Sequence, residues 1–214
     1  MGDYENAGKY ADSCLAITNS LIDYNDASKV DLTSTSPAFK IFNEEVIFHS
    51  ESRTIYSLLD GTVDSVLFST YANNDLRQKA FYMVGTDGKA TFRGCYNGKD
   101  RYFPFNGLTT DEIYLIRAEC FARAGNATQA MTMLNTLLVN RWATGTFSPY
   151  TASDPSDALK KIFDERRKEL CFRPGLRWSD LRRLNLDNNY AITIKRNLDG
   201  QTFELAPNDL RYTF

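Results

Sequence analysis

The sequence predicts a mainly α-helical protein with paired helices, one loop-rich region and a few short strands. Apolar residues recur every three or four positions over residues 4–22, 109–141 and 154–173, and this spacing is typical of amphipathic helices. Residues 23–108 contain short apolar runs broken by Asn, Ser, Asp and Gly, which is typical of loops and short strands. With 214 residues, of which 43% are hydrophobic, the chain can bury one core, so we predict a single domain over residues 1–214.

The loop-rich region, residues 23–108, contains three candidate β elements. Apolar and β-branched runs predict short strands at residues 45–49 and 79–84. A hairpin is predicted where residues 90–93 and residues 101–103 flank Asn97-Gly98, because Asn-Gly favours a two-residue hairpin turn.

After the loop-rich region, the sequence predicts two antiparallel helices. Thr109 or Thr110 can cap the first helix, and Gly125 ends it. Asn126 then begins the second helix, with Gln129 three positions later as in a capping box. So short a connection forces an antiparallel hairpin. Such pairs are typical of tetratricopeptide-like helical hairpins, although the chain has no clean repeat of about 34 residues.

The last third of the chain predicts two further helices and a hairpin. Asp154-Pro155 supplies an N-cap with proline at the first helical position, and Pro174-Gly175 ends that helix. A shorter helix is predicted over residues 176–185. Beyond it, alternating apolar residues predict an edge hairpin that turns at Leu198-Asp199-Gly200.

Charge and hydropathy exclude several classes of function. The 25 basic and 27 acidic side chains give a net charge of -2, so no charge excess attracts nucleic acid or an anionic membrane. No run of about 18 apolar residues exists, and the first residues have neither the basic nor the apolar region of a signal peptide.

Sequence motifs give no support for a cofactor, a metal or nucleophilic catalysis. The phosphate-binding, dinucleotide-binding, zinc-protease and serine-hydrolase motifs are all missing from the sequence. His49 is the only histidine, and the four cysteines are widely spaced, which predicts free thiols. Asp60, Asp64 and Asp75 lack the regular spacing of an EF-hand. We therefore assign no cofactor and no metal.

Two segments together resemble the signatures of the SusD/RagB-like family. The first is YLIRAE at residues 114–119, which continues as ARAGN at residues 122–126. The second is IFDERRKEL at residues 162–170, followed by Phe172, Gly175, Arg177-Trp178 and Asp180-Leu181-Arg182-Arg183. Asp75-Leu76-Arg77 and Asp209-Leu210-Arg211-Tyr212 resemble two shorter elements of the family. The sequence departs from the pattern at Arg173-Pro174, where the family often has an acidic residue before the glycine.

Members of this family are surface nutrient-binding lipoproteins of Bacteroidetes polysaccharide-uptake systems. The resemblance therefore implies a helical scaffold carrying a loop-rich ligand-binding region, and non-catalytic capture of oligosaccharides or polysaccharides. It also implies an outer-membrane location and a SusC-like TonB-dependent transporter as partner. Some relatives bind peptides or glycoproteins instead. Because members carry a lipoprotein signal and further helices, the resemblance implies that this chain is truncated at both ends.

Aromatic residues in the loop-rich region are the candidates for sugar binding. Sugars are recognised by flat aromatic faces together with polar side chains for their hydroxyl groups. We predict Tyr56, Tyr71 and Tyr96 as ligand-binding residues, because they lie in the irregular region where functional loops concentrate. For each of them, a packing role is the competing interpretation.

Two acidic residues one helical turn apart, Glu165 and Glu169, could form a glycosidase pair, which needs two carboxylates about 5 to 10 Å apart. They alternate with Arg166, Arg167 and Lys168, so ion pairs are the favoured interpretation. The family resemblance implies that Glu165 and Arg166 form a structural polar network with Arg177.

The sequence thus predicts a non-catalytic glycan-binding protein. The alternative is a tetratricopeptide-like module that binds peptides or proteins in a helical groove. An enzyme acting on glycans is the third hypothesis, and it requires two carboxylates converging in one cleft.

Overall fold

The computed structural model describes residues 2–34, 37–53, 61–100 and 102–213. Its contacts divide the chain into two units, Gly2–Pro174 and Gly175–Phe214. The described residues are mostly helical with a few short strands, as the sequence predicted. Whether the whole chain forms a single domain stays a prediction.

The first unit contains six helices and four strands among its described residues. The helices are α1 (Tyr4–Ile17), α2 (Ser65–Ser69), α3 (Arg77–Phe81), α4 (Thr110–Arg123), α5 (Ala127–Leu138) and α6 (Pro155–Glu169). The strands are β1 (Val46–Phe48), β2 (Tyr82–Val84), β3 (Ala90–Phe92) and β4 (Leu108–Thr109). The antiparallel pairs are β1 with β4 and β2 with β3.

Helix α4 is the centre of the helical part, because it contacts α1, α5 and α6. Gly125 follows the C-cap of α4 and has a φ of 85°. Glycine adopts this backbone conformation without strain, so it ends the helix as predicted. The side chain of Asn126 accepts a hydrogen bond from the Gln129 amide at 3.0 Å, and Asp154 caps α6 through the Asp157 amide at 2.9 Å. These capping predictions are confirmed.

Three local predictions were wrong in part. Helix α1 ends at Ile17, five residues before the predicted end at Ile22, whose amide donates to Glu45 at 2.7 Å. Residues 79–81 belong to helix α3, so the strand predicted from residue 79 begins at Tyr82. The three residues of β3 pair with β2, and Asn97-Gly98 forms a tight turn between Cys95 and Lys99. At Ile22 the contact with Glu45, which lies 23 positions later, replaces a helical hydrogen bond.

The loop-rich region has its own aromatic core. The ring of Phe39 lies 5.4 Å from Tyr24, 5.8 Å from Phe81 and 4.9 Å from Tyr96, measured between centroids. The ring of Phe105 also packs on that of Tyr96, with centroids 5.6 Å apart. Such contacts let a segment with little regular structure bury enough apolar surface to hold one conformation.

The second unit contains α7 (Leu176–Leu184), the hairpin β5 (Ile194–Leu198) and β6 (Gln201–Leu205), and a short 3-10 helix (Leu210–Thr213). The hairpin turns at Asp199-Gly200, as predicted. Within this unit the rings of Trp178 and Tyr212 stack with centroids 4.8 Å apart.

Replacing the cap of α5 tests the helical hairpin. We expect Asn126→Ala to lower the free energy of unfolding by about 1 kcal/mol, because the Gln129 amide loses its acceptor. Urea denaturation measures the change. The matched control is Gln129→Ala, which keeps the main-chain donor, and an equal loss in both variants would contradict the capping role.

Candidate functional site

Two fully buried arginines, Arg77 and Arg141, share one carboxylate at the base of the loop-rich region. Glu169 accepts from Arg77 Nη1 at 3.0 Å and from Arg141 Nε at 2.7 Å. Arg77 also contacts Asp75 and Glu165, each at 2.6 Å. A buried charge without a partner is strongly destabilising, so these side chains hold α6 against the segments that carry the two arginines.

The two helix carboxylates predicted to form ion pairs do so. Glu165 contacts Arg77 and Lys168, and Glu169 lies between two arginines, as above. Arg166 pairs with Glu112 at 2.9 Å, and Arg177 lies in α7 of the second unit. Within the first unit, Glu165 and Glu169 thus belong to a buried network whose cations include Arg77, Arg141 and Lys168. A network that includes Arg177 stays a prediction.

Sequence reasoning did not identify the second half of the network. Arg141 Nη2 donates to Glu45 at 2.7 Å, and its Nη1 donates to the Ile22 carbonyl at 2.6 Å. Burial raises the pKa of Glu45 to about 7, although Arg141 opposes this shift. Asp75-Leu76-Arg77 was noted only as a resemblance, and nothing local marks Glu45 as buried. Its partners come from segments distant in the chain.

Arg173, at the position where the sequence departs from the family pattern, is part of a second buried ion pair. Its guanidinium donates to Asp111 and, at 2.6 Å, to the Thr109 hydroxyl. It also lies 4.2 Å from the centroid of the Tyr96 ring. Burial opposes the charged form of Arg173, but Asp111 raises the pKa of its guanidinium.

The predicted ligand-binding tyrosines do not form one exposed surface. Tyr71 is 4% exposed and its hydroxyl donates to the Lys168 carbonyl at 2.9 Å. Tyr96 is 5% exposed and its hydroxyl donates to Glu45. Tyr56 lies outside the described residues. Direct stacking by Tyr71 or Tyr96 stays a prediction, and it requires the buried ring to be uncovered.

An exposed aromatic side chain that sequence reasoning did not single out lies close to Tyr96. Phe42 is 71% exposed and its backbone φ is 54°, a left-handed conformation that is strained for a bulky residue. Its ring lies 4.7 Å from the imidazole of His49. The local pattern gave no signal, because a strained φ is visible only in the structure.

Polar side chains continue from His49 along the same surface. His49 Nε2 lies 3.6 Å from Glu51, and Lys99 Nζ lies 3.4 Å from the same carboxylate. Lys99 is also 5.6 Å from the Phe103 ring. We call Phe42, His49, Glu51, Lys99 and Phe103 the Phe42 platform. It offers a flat apolar face beside hydrogen-bonding groups of both charges.

Residues 96–98 contact the loop that carries Phe42. The side chain of Asn43 donates to the Tyr96 carbonyl at 2.9 Å. Gly98 has a φ of 75°, and a Cβ there would lie 2.5 Å from the Ile41 amide nitrogen, so only glycine fits. Tyr96 therefore connects the loop that carries Phe42 to Glu45 and the buried network.

The described residues contain no group of three or more His, Cys, Asp or Glu side chains that could hold a metal ion. Within that same part of the chain, no helix has the length and apolar character needed to cross a bilayer.

Comparisons with known proteins give a family model that matches part of the chain and solved structures that share its fold. Residues 110–212 match the SusD family, and no curated protein matches the chain. A SusD-like carbohydrate-binding protein from Bacteroides vulgatus has a TM-score of 0.60 and 21% identity, and the match covers 95% of this chain and 47% of that one. A SusD-like protein from Bacteroides fragilis has a TM-score of 0.56 and 15% identity, covering 96% and 56%. The chain thus spans about half the length of these structures, which share its fold.

The buried carboxylate of Glu45 predicts a pH-dependent stability. Its pKa is raised from 4.5 to about 7, so between these values the folded chain keeps a proton that the unfolded chain releases. The free energy of unfolding therefore falls as the pH rises through this window. Relative to the natural chain, we expect Glu45→Gln to gain on the order of 3 kcal/mol across it.

Urea denaturation at several pH values measures this difference. The control is Glu44→Gln, because the neighbouring Glu44 is partly exposed and pairs with Lys29 at the surface. A difference between Glu45→Gln and the natural chain that does not change with pH would contradict the assignment.

Proposed function

We propose that this chain, which is SusD/RagB-like, is a non-catalytic glycan-binding protein that holds oligosaccharides or polysaccharides at the Phe42 platform. The observation that carries the proposal is the Phe42 ring, exposed on a strained backbone beside His49. Such strain persists where the surrounding structure imposes it, and it is concentrated at functional sites.

The chemistry of the platform suits a sugar. A pyranose ring presents an apolar C–H face, which can stack on Phe42, and a rim of hydroxyl groups. The carboxylate of Glu51 can accept hydrogen bonds from those hydroxyls, and the ammonium of Lys99 can donate to them. The ion pair between these two groups orients both before a ligand arrives, which lowers the entropic cost of binding.

The burial and the ion pairs of the acidic residues support the non-catalytic part of the proposal. Glu165 and Glu169 are buried and engaged with arginines, so neither is available to a substrate. On the platform, Glu51 is the only carboxylate among the five residues that define it, whereas glycoside hydrolysis generally uses two.

The partner and the location follow from the family resemblance. We propose that the protein acts at the outer-membrane surface as a lipoprotein, together with a SusC-like TonB-dependent transporter. The B. vulgatus relative is named as a carbohydrate-binding protein, which supports the glycan as cargo in such a system.

One observation favours the alternative of a peptide-binding module. A groove of about 450 Å³ lies between α1 and α4, lined by charged side chains of both signs that include Lys9, Asp12 and Arg117. In it, Arg123 covers the Tyr4 ring at 4.1 Å. A groove of mixed charge can hold a polar peptide, so peptides belong in the binding panel.

Replacing Phe42 by glycine separates binding from stability. We expect Phe42→Gly to weaken glycan binding about tenfold or more, because the stacking face is lost. The free energy of unfolding should stay within about 1 kcal/mol, because glycine relieves the strained φ and the lost ring is mostly exposed. Affinity electrophoresis and calorimetry against neutral polysaccharides and peptides measure binding.

The control is Tyr10→Ala, which removes an aromatic ring that is 75% exposed on α1. Tyr56→Ala, Tyr71→Phe and Tyr96→Phe test the remaining predicted residues, and the two phenylalanine variants keep the buried rings. Undiminished glycan binding by Phe42→Gly would reject the platform. Binding to peptides alone would favour the helical groove.

A further inference from the structure

A cavity of the first unit is lined by none of the residues that define the Phe42 platform. Its volume is about 320 Å³, within the range of sites that bind small molecules. One wall contains Asp23 and Asn25, and the other contains Asn140, Thr144 and Phe147, which follow α5. The described lining therefore combines carboxylate, amide, hydroxyl and aromatic groups, and it contains no lysine or arginine.

The side chain of Asn25 holds the two walls of the cavity together. Its Nδ2 donates to the Trp142 carbonyl at 2.9 Å, and its Oδ1 accepts from the Thr144 amide at 3.0 Å. The main-chain amide of Tyr24 also donates to the Asn140 carbonyl at 2.9 Å. The two bonds of the Asn25 side chain join segments that are 117 and 119 positions apart in the chain. The shape of the cavity is thus fixed before a ligand binds, which lowers the entropic cost of binding.

Asp23 is the charged residue of the described lining, and one of its carboxylate oxygens is unused. Its Oδ1 accepts from the main-chain amide of Asn25 at 2.9 Å and from the side-chain Nδ2 of the same residue at 2.8 Å. In the part of the chain that the structure describes, Oδ2 accepts no hydrogen bond, and no lysine or arginine nitrogen lies within 4.0 Å of the carboxylate. Lys29 interacts with Asp23 over a longer range, but its ion pair, at 2.8 Å, is with Glu44. The free oxygen is therefore available to a cation that enters the cavity.

The opposite wall adds an aromatic ring and two further polar groups. The Phe147 ring is held between Trp142 and Tyr150, with centroids 5.8 and 6.1 Å away. Asn140 donates from Nδ2 to a carbonyl of α5 at 2.9 Å, whereas its Oδ1 and the Thr144 hydroxyl form no hydrogen bond among the described residues. An aromatic face together with a carboxylate suits an ammonium group. The amide oxygen and the hydroxyl suit the hydroxyl groups of a sugar ring.

We propose that this cavity binds one amino-sugar unit of a glycan, with the ammonium group of the sugar in contact with Asp23 and the Phe147 ring. The sugar character of the ligand rests on the proposed glycan-binding function. The inference goes beyond that function, because it adds a second site that selects cationic sugar units. An acidic sugar would meet the Asp23 carboxylate without a basic residue in the described lining to offset the repulsion.

The test compares a charged ligand with a neutral one on the same sugar backbone. The probes are a glucosamine trisaccharide and its fully N-acetylated form, titrated by calorimetry at low and high salt in slightly acidic buffer, where the free amines carry a proton. We expect the natural chain to bind the amine form about tenfold more tightly than the acetylated form, with the preference lost at high salt. Asp23→Asn should reduce the preference about fivefold, because it removes the charge and keeps the oxygen that accepts from Asn25.

The matched control is Asp26→Asn, which removes a carboxylate of the same loop that does not line the cavity. A second variant, Phe147→Leu, keeps an apolar side chain, and its loss of the aromatic face should reduce the preference about threefold. Equal binding of the two trisaccharides, or an unchanged preference in Asp23→Asn, would overturn the proposal. Ethylammonium binding as tightly as the glucosamine trisaccharide would also overturn it, because the cavity would then be a site for simple amines rather than for a sugar.

A parallel titration of Phe42→Gly distinguishes this inference from the proposed function. If Phe42→Gly binds neutral glycans normally while Asp23→Asn loses the preference for the amine form, the Phe42 platform fails and the cavity stands. If Phe42→Gly loses neutral glycans while Asp23→Asn keeps the full preference, the cavity fails and the proposed function stands.

Discussion

The carboxylate of Glu169, shared between Arg77 and Arg141, is the contact on which the rest of the first unit depends. Among the described residues, the buried network around Glu169 and the separate Asp111–Arg173 pair together contain five carboxylates, those of Glu45, Asp75, Asp111, Glu165 and Glu169, and four cations, those of Arg77, Arg141, Lys168 and Arg173. The negative charge is in excess by one. Burial raises the pKa of Glu45. A proton bound to this carboxylate would therefore remove the excess negative charge.

This arrangement explains how a region with little regular structure keeps a defined shape. Arg141 and Glu45 bind the main chain at Ile22, and Tyr96 donates to Glu45 while its own carbonyl receives Asn43. A loop anchored at buried charges cannot move without exposing or unpairing them, which costs several kcal/mol. Phe42 can therefore occupy a strained conformation on a rigid support. Such preorganisation reduces the entropic cost of binding a ligand.

The sequence predicted both a region for the candidate site and three tyrosines within it, Tyr56, Tyr71 and Tyr96, and none of the three is a residue of the Phe42 platform. Sequence reasoning placed it among the aromatic residues of residues 23–108, and the residues of the Phe42 platform lie in that region. Tyr71 and Tyr96 have polar neighbours in the sequence, but both are buried because their packing partners come from elsewhere in the chain. Nothing in the local sequence marks Phe42, since a positive φ is a property of the folded state.

The sequence by itself determined the local features, which are the helix ends and the turns set by neighbouring residues. The caps at Asn126 and Asp154, the glycine that ends α4 and the turn at Asp199-Gly200 act over a few positions, so their patterns can be read directly. Tertiary structure decided the pairing of β1 with β4, the early end of α1, and which charges meet in the core. Those outcomes depend on burial free energy, which is set by distant segments, and no local pattern contains it.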